Sequence, residues 1–195
     1  MSAAPALMYR RSPSPGRTVT LRPAAIVPAS VVVRSAVAAD AAAIHRLIVN
    51  HAAEGRLLPR SLDEIARHID RFVVASDGPR VIGCADLAPL SSSTAEVRSL
   101  VVDSTARATG IGRRLLEALT ARATMVGFHT LCAFTHSPAY FVQAGFSIVP
   151  HTWVPEKIEQ DCRTCSQYRQ CGQYAVAMLL GVARPCLVGV GSFNG

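Results

Sequence analysis

Between residues 95 and 127 the sequence passes from an apolar stretch, Ala95–Val102, through a turn holding Gly110 and Gly112, into a long segment with Leu115, Leu116, Leu119 and Ala123 at helical spacing. Gly127 stands where a helix C-terminus favours glycine. Such a run can hardly be anything but a strand delivering a glycine turn to a helix N-terminus. At that point the first backbone N–H groups have no helical carbonyl to serve, the helix dipole favours negative charge, and glycines let an anion approach the backbone. The pattern predicts a phosphate cradle. It is not a Walker A loop, for the Lys-Ser/Thr pair is missing, and it lacks the Rossmann spacing of three glycines. Taken alone, the turn could also be a tight connection whose glycines bind nothing.

The flanking segments organise around this unit. Val31–Arg34 reads as a strand, and Asp40 as the cap of a helix from Ala41 to about His51. Ser61 with Glu64 forms a capping box opening a helix through Ile65 and Ile69, which puts Arg60 at a helix start. Phe72–Ala75, Val81–Leu87 and Ala95–Val102 read as an antiparallel meander, with Asp77-Gly78-Pro79 as its first turn. After the long helix come a strand His129–Phe134, a short helix from Pro138 to Ala144-Gly145, a strand Phe146–Val149 and a last strand Gln173–Leu180. The 195 residues suit one domain, expected over 31–180, between an extension over 1–30 and a flexible tail over 181–195. The extension is rich in Ala, Ser, Pro and Arg. Its prolines disfavour the helix of a mitochondrial presequence, so it is expected to be disordered, with a transit peptide as the alternative.

Charge and cysteine content narrow the function. The net charge of +7 suggests nucleic acid until it is located: residues 1–34 hold five Arg and no acid, leaving +2 for the rest. Of the 20 cationic residues only Lys157 is Lys, so no nucleic-acid partner is expected. Apolar runs stop well short of the roughly 18 residues of a membrane span, so no membrane partner is expected either. Three of the six Cys crowd into Cys162–Cys171, unlike a secreted disulfide framework, which favours a reducing compartment, the cytoplasm. Cys162, Cys165 and Cys171, with His151, Cys186 or Asp161 as a fourth ligand, could hold a structural zinc. A second Cys-x-x-Cys to pair with Cys162 and Cys165 is absent, however, and reduced packing or loop thiols are the preferred reading, with no metal predicted. Cys132 lies in a strand and reads as core, His45 and His68 as surface or boundary residues on helices, and His136 borders the proposed site.

Element order and turn together resemble the GNAT acyltransferase superfamily, whose signature Arg/Gln-x-x-Gly-x-Gly/Ala is matched by Arg107, Gly110 and Gly112 over a resemblance spanning about 31–180. A second landmark, a helix ending in Gly-Phe, is present as Tyr140-Phe141-Val142-Gln143-Ala144-Gly145-Phe146. The resemblance implies an α/β fold with a mixed, mostly antiparallel sheet, helices on both faces, and a fourth strand splayed from the fifth. It also implies acetyl-CoA as co-substrate, its pyrophosphate on Arg107, Ala108, Thr109, Gly110, Ile111, Gly112 and Arg113. Backbone amides near Leu100, Val101 and Val102 would hold the pantetheine arm and thioester oxygen.

A narrower resemblance is to the acetyltransferase domain of N-acetylglutamate synthase. Glu54-Gly55-Arg56-Leu57-Leu58-Pro59-Arg60-Ser61 is similar to its Gly-x-Leu-x-x-Arg-Ser, Ala95-Glu96-Val97 to its Ala-Glu-Leu, and Thr135-His136-Ser137-Pro138-Ala139-Tyr140-Phe141 to its Thr-Thr-Arg-Ser/Thr-x-x-Trp-Phe. The accompanying amino-acid kinase domain is missing, so the resemblance implies a short, stand-alone form without arginine feedback through that domain. It implies that Arg60 and Ser137 contact the carboxylates of L-glutamate; a guanidinium offers a planar two-pronged donor, and a hydroxyl at a helix start adds another. Their alternatives are a solvated helix-flanking charge and an ordinary N-cap. Glu96, a carboxylate in an apolar strand, could take the amine proton directly or through water, or could form an ion pair with Arg98 or Arg71. Many superfamily members carry a Tyr four residues before the Gly of Gly-Phe to protonate the leaving thiolate. Here that position is Phe141, and Tyr140, one residue out of phase, is expected to point elsewhere on the helix. Acetyl transfer to the α-amine of L-glutamate is thus the leading expectation, with a homodimer left open. Alternatives are another small amine or a protein N-terminus as acceptor, or a metal- or nucleic-acid-binding module on an idle core.

Overall fold

Seven strands build one sheet: β1 (Val31–Ser35), β2 (Phe72–Asp77), β3 (Arg80–Pro89), β4 (Thr94–Val102), β5 (Thr130–Thr135), β6 (Ser147–Val149) and β7 (Tyr174–Leu179). They hydrogen-bond in the order β1-β2-β3-β4-β5-β7-β6, in a computed structural model that describes residues 30–53, 57–166 and 168–181. Apart from Ser30 and Gly181, the expected extension and tail lie outside the described residues, as do Glu54, Gly55, Arg56 and Cys186. Every pairing is antiparallel except β4 with β5, which are joined by the helix α3 (Ile111–Val126). The expected α/β architecture, mostly antiparallel with a parallel pair at its centre, is what the chain adopts.

Strand alternation splits the core into two layers. Val73, Ala75, Ala85 and Leu87 face α3, whose Ile111, Leu115, Leu116, Leu119 and Ala123 are all buried. Phe72, Val74 and Cys84 face the other way, against Ile44, Leu47 and Ile48 of α1 (Ala41–Ala52) and Ile65 of α2 (Leu62–Arg67). Truncating a fully buried leucine such as Leu115 or Leu119 to Ala would cost about 2–5 kcal/mol. The short α4 (Pro138–Gln143) buries Phe141 edge-on against Phe146.

Local chemistry explains the boundaries. Gly78 adopts φ +56° in the two-residue connection between paired Asp77 and Arg80, and Gly127 ends α3 at φ +97°. Ser61 Oγ accepts the Glu64 N–H, although the Glu64 carboxylate turns to Arg60 instead of completing the capping box. Asp40 corrects an expectation: its side chain makes no cap bond to α1. It accepts the Val37 N–H and both guanidinium nitrogens of Arg34, closing a 3-10 turn over Ala38–Asp40 that leads into the helix. The helix α5 (Pro155–Gln160) was not expected, since its six residues contain a single strongly apolar side chain, Ile158.

Candidate active site

Strands β4 and β5 pair over only three rungs, Thr94 with Thr130, Ala95 with Leu131 and Glu96 with Cys132. Beyond Glu96 they part, and a cleft of about 1040 Å³ opens between them, walled by β4, the turn before α3, the starts of α2 and α4, and α5. A bulge helps to open it. Asp86 of β3 faces Arg98 while Cys84 faces Val101, so β4 carries one extra residue, and Ser99 takes it up at φ +50°. The extra residue reverses the facing of the strand: Val97 packs in the α3 layer, Val101 in the α1 layer, and Leu100 and Val102 return to the α3 side.

One end of the cleft is built for an anion. After β4, Asp103 accepts both the backbone N–H and the hydroxyl of Thr105, bonds that with Arg80 hold its carboxyl below the usual range. Ala108 (φ +64°) and Gly110 (φ +88°) are both left-handed and turn the backbone into α3. The Arg114 N–H bonds the Gly110 carbonyl, so the N–H groups of Ile111, Gly112 and Arg113 precede the first helical bond. The Thr109 hydroxyl donates to the Ala106 carbonyl. Arg107 Nη2 lies 2.6 Å from His51 Nε2, tying the turn to the end of α1, and the Arg113 side chain runs outward to Glu117. His51 lines this end as well, and nothing in the sequence distinguished it from other helix-end histidines.

The other end is a network of opposed charges. Glu96, 3% exposed, accepts through Oε2 from Arg98 Nε at 2.5 Å and Lys157 Nζ at 2.9 Å. Both cations also bond Asp161; burial opposes the charge on Asp161, but Lys157 and Arg98 outweigh it and hold the carboxyl below its usual range. Lys157 stands over the Phe134 ring, 5.4 Å from its centroid. Arg60 is not a solvated flanking charge. Its side chain is 11% exposed, its Nη1 donates to Asp86 Oδ2 at 2.5 Å, and its Nε and Nη2 both donate to Glu64 Oε1. Asp86 is fully buried with Oδ1 unpartnered, and burial raises its carboxyl above the usual range despite Arg60.

Every site residue named from the sequence except Thr109 lines this one cleft: Arg60, Glu96, Leu100, Val101, Val102, Arg107, Ala108, Gly110, Ile111, Gly112, Arg113 and Ser137. Ser137 makes no cap bond with its side chain, so the reading of it as an ordinary N-cap falls away. Glu96 does pair with Arg98, and with Lys157 where Arg71 was considered. Tyr140 points away from the Phe141–Phe146 contact, as its phase implies, but it still lines the cleft and its hydroxyl lies over Gly112. Lys157 and Asp161 were not expected at this cleft, because α5, which carries Lys157 and ends just before Asp161, left no periodic trace. Cys162 and Cys165 line the cleft as free thiols, and Cys171 is free and exposed. Among the described residues no three His, Cys, Asp or Glu side chains are grouped to hold a metal. No helix among them is long and apolar enough to cross a membrane.

Comparison with known proteins sets this geometry in context. Residues 68–148 match a family model described as an acetyltransferase (GNAT) domain. An uncharacterized N-acetyltransferase of Chlorobaculum tepidum is 36% identical over 152 residues, covering 78% of this chain and 98% of that protein. An amino-acid acetyltransferase of Pseudomonas putida is 35% identical over 118 residues, 60% of this chain but 27% of that one. Among solved structures, N-acetylglutamate synthase from Neisseria gonorrhoeae, complexed with coenzyme A and N-acetyl-glutamate, superposes with a TM-score of 0.70 at 26% identity. That match covers 77% of this chain and 35% of the synthase, so the chain spans about a third of that relative.

Proposed function

Since the chain belongs to the GNAT acetyltransferase family and is an acetyl-CoA-dependent N-acetyltransferase, we propose that its acceptor is the α-amine of L-glutamate. The observation that carries this is the gathering of Arg60, Arg98 and Lys157 at the acceptor end of the cleft, with Ser137 also on its wall. Guanidinium and ammonium donors in a half-buried site suit a substrate with two carboxylates. The resemblance of the 54–61, 95–97 and 135–141 segments to N-acetylglutamate synthase supports the same acceptor.

The cradle suits the pyrophosphate of acetyl-CoA, for three unbonded helix-start amides follow two left-handed residues that turn the backbone toward the cleft. The amides of Ile111, Gly112 and Arg113 would hold that group, and the edge of β4 from Ser99 to Val102, which β5 does not cover, would face the pantetheine arm. Acetyl-CoA supplies the acyl group as an activated thioester. Glu96 would accept the proton of the substrate ammonium, directly or through one water, while Arg98 and Lys157 fix its carboxylate from the side of Oε2. Phe141, where many members have a Tyr, is packed against Phe146 and offers no proton.

The charge balance of the network favours a second reading. Arg60, Arg98 and Lys157 already face Glu64, Asp86, Glu96 and Asp161, so the acceptor end carries more acid than base before a substrate arrives. A small amine with fewer carboxylates would suit that balance. Incubating the purified protein with acetyl-CoA and an amino-acid panel, while following thiol release, separates the two. Glutamate should give the highest kcat/KM; preference for a neutral amine would move the assignment to the second reading.

A further inference from the structure

Tyr140 begins on α4, on one wall of the cleft, and its hydroxyl ends over the backbone of Gly112, in the first turn of α3 on the opposite wall. The contact is close. A Cβ at residue 112 would stand 2.9 Å from Tyr140 Oη, nearer than real Cβ atoms approach, whereas the next ring atom, Cζ, would be at 3.7 Å. Gly112 itself does not adopt a left-handed backbone, so its lack of a side chain answers to what lies against it, this hydroxyl and an anion at the helix start, and not to chain conformation. The hydroxyl therefore lies over residue 112, whose amide, like that of Arg113, precedes the first helical bond of α3, where an anion at this helix start would rest.

We propose that the Tyr140 hydroxyl is a cofactor ligand, donating a hydrogen bond to a phosphate oxygen of acetyl-CoA at the start of α3, and that residue 112 is glycine to seat that hydroxyl. The proposal rests on the acetyl-CoA reading of the cradle. It assigns Tyr140 to binding and not to proton transfer. Burial, with Glu117 nearby, pushes the phenol up to about 12, well above the roughly 8.5 of an ordinary thiol. The phenol thus stays protonated as a donor across the working range, and giving its proton to a departing thiolate would be uphill.

Binding of CoA to the purified protein, measured by titration calorimetry without acceptor, tests this. Tyr140→Phe should weaken the CoA Kd about tenfold and raise KM for acetyl-CoA in step, while kcat changes less than about twofold. Gly112→Ala should give a similar loss by displacing the phenol. Added to Tyr140→Phe, the same substitution should cost less than about twofold, because the ring that remains lies at ordinary contact distance from the new methyl. CoA affinity unaltered in Tyr140→Phe overturns the proposal, and so does a loss confined to kcat with a changed alkaline limb, which would make the phenol a proton donor. Additive losses in the double variant overturn the account of Gly112. A wild-type protein that fails to bind CoA would instead overturn the cofactor reading itself.

Discussion

Arg60 Nη1 donates to Asp86 Oδ2 at 2.5 Å, joining the residue before the N-cap of α2 to a fully buried carboxylate within β3. The same guanidinium lines the cleft, so in the proposed reading it supports the fold and would face the acceptor at once.

Arg60→Leu is therefore expected to do two things. It should raise KM for glutamate, and it should lower stability by about 3–5 kcal/mol, because Asp86 would be left buried with neither oxygen partnered. Adding Asp86→Asn should restore much of the stability and none of the glutamate affinity. Thermal midpoints and steady-state kinetics on the wild type and the two variants check this; an Arg60→Leu variant as stable as wild type would show that Asp86 finds relief elsewhere.

Gly110 and Gly127 have similar backbone conformations, at φ +88° and +97°, on opposite ends of α3. Replacing either with Ala should cost about 1 kcal/mol of strain. A Cβ at Gly127 meets nothing within 4 Å, so Gly127→Ala should bind CoA like wild type. Gly110→Ala should also weaken CoA binding, as Gly110 lies in the cradle. Equal CoA affinities in the two variants would remove the turn from the cofactor site.

Glu96→Gln keeps the shape of the side chain and removes its proton acceptor. A general base is worth about 10²–10⁴ in rate, so under the role proposed for Glu96 kcat should fall by that order while CoA affinity holds. Stopped-flow thiol release at saturating substrates measures it, and a kcat within threefold of wild type would leave Glu96 as an ion-pair partner only.

The Arg34–Asp40 pair sets an acid limit on stability. Hydrogen bonds from Arg34, and then from the Val37 N–H, hold the Asp40 carboxyl below its usual range against the opposing effect of burial. A carboxyl depressed by folding stabilises the native state above its unfolded pKa, about 3.9, and loses that contribution as pH falls through the folded value. Asp40→Ala should cost about 1–2 kcal/mol at neutral pH, and the difference should shrink toward zero in acid. Denaturant melts between pH 7 and pH 2 give the curve; a pH-independent difference would point to packing instead.

The halves of the cleft differed in how plainly the sequence showed them. The cradle was legible because a strand, a glycine turn and an amphipathic helix are contiguous, and residues 95–127 fold much as their periodicity says. The strands of the meander came within two residues of their ends for the same local reason. The acceptor end was legible only in part. Arg60, Glu96 and Ser137 come from distant segments, and no spacing rule could disclose that Arg60 would bond Asp86 or that Lys157 would return from residue 157 to reach Glu96. Helical phase did separate Tyr140 from Phe141, but it could not disclose that the 100° between them turns Tyr140 away from the core and toward Gly112. Asp40 was misread because a 3-10 turn precedes α1 and claims its carboxylate first.

Strand β7, the last described element in sequence, is inserted between β5 and β6, and this order has a consequence during synthesis. The meander β1 to β4 can assemble as it emerges, since each strand finds its partner in the chain already made. On the far side, β6 has no partner but β7 among the described residues, and β5 has only three rungs to β4 without it. A nascent chain that has not reached Tyr174 thus holds a folded half beside an open strand edge, the condition in which mispairing or chaperone capture competes with native folding. Completion of the catalytic half waits on the arrival of residues 174–179.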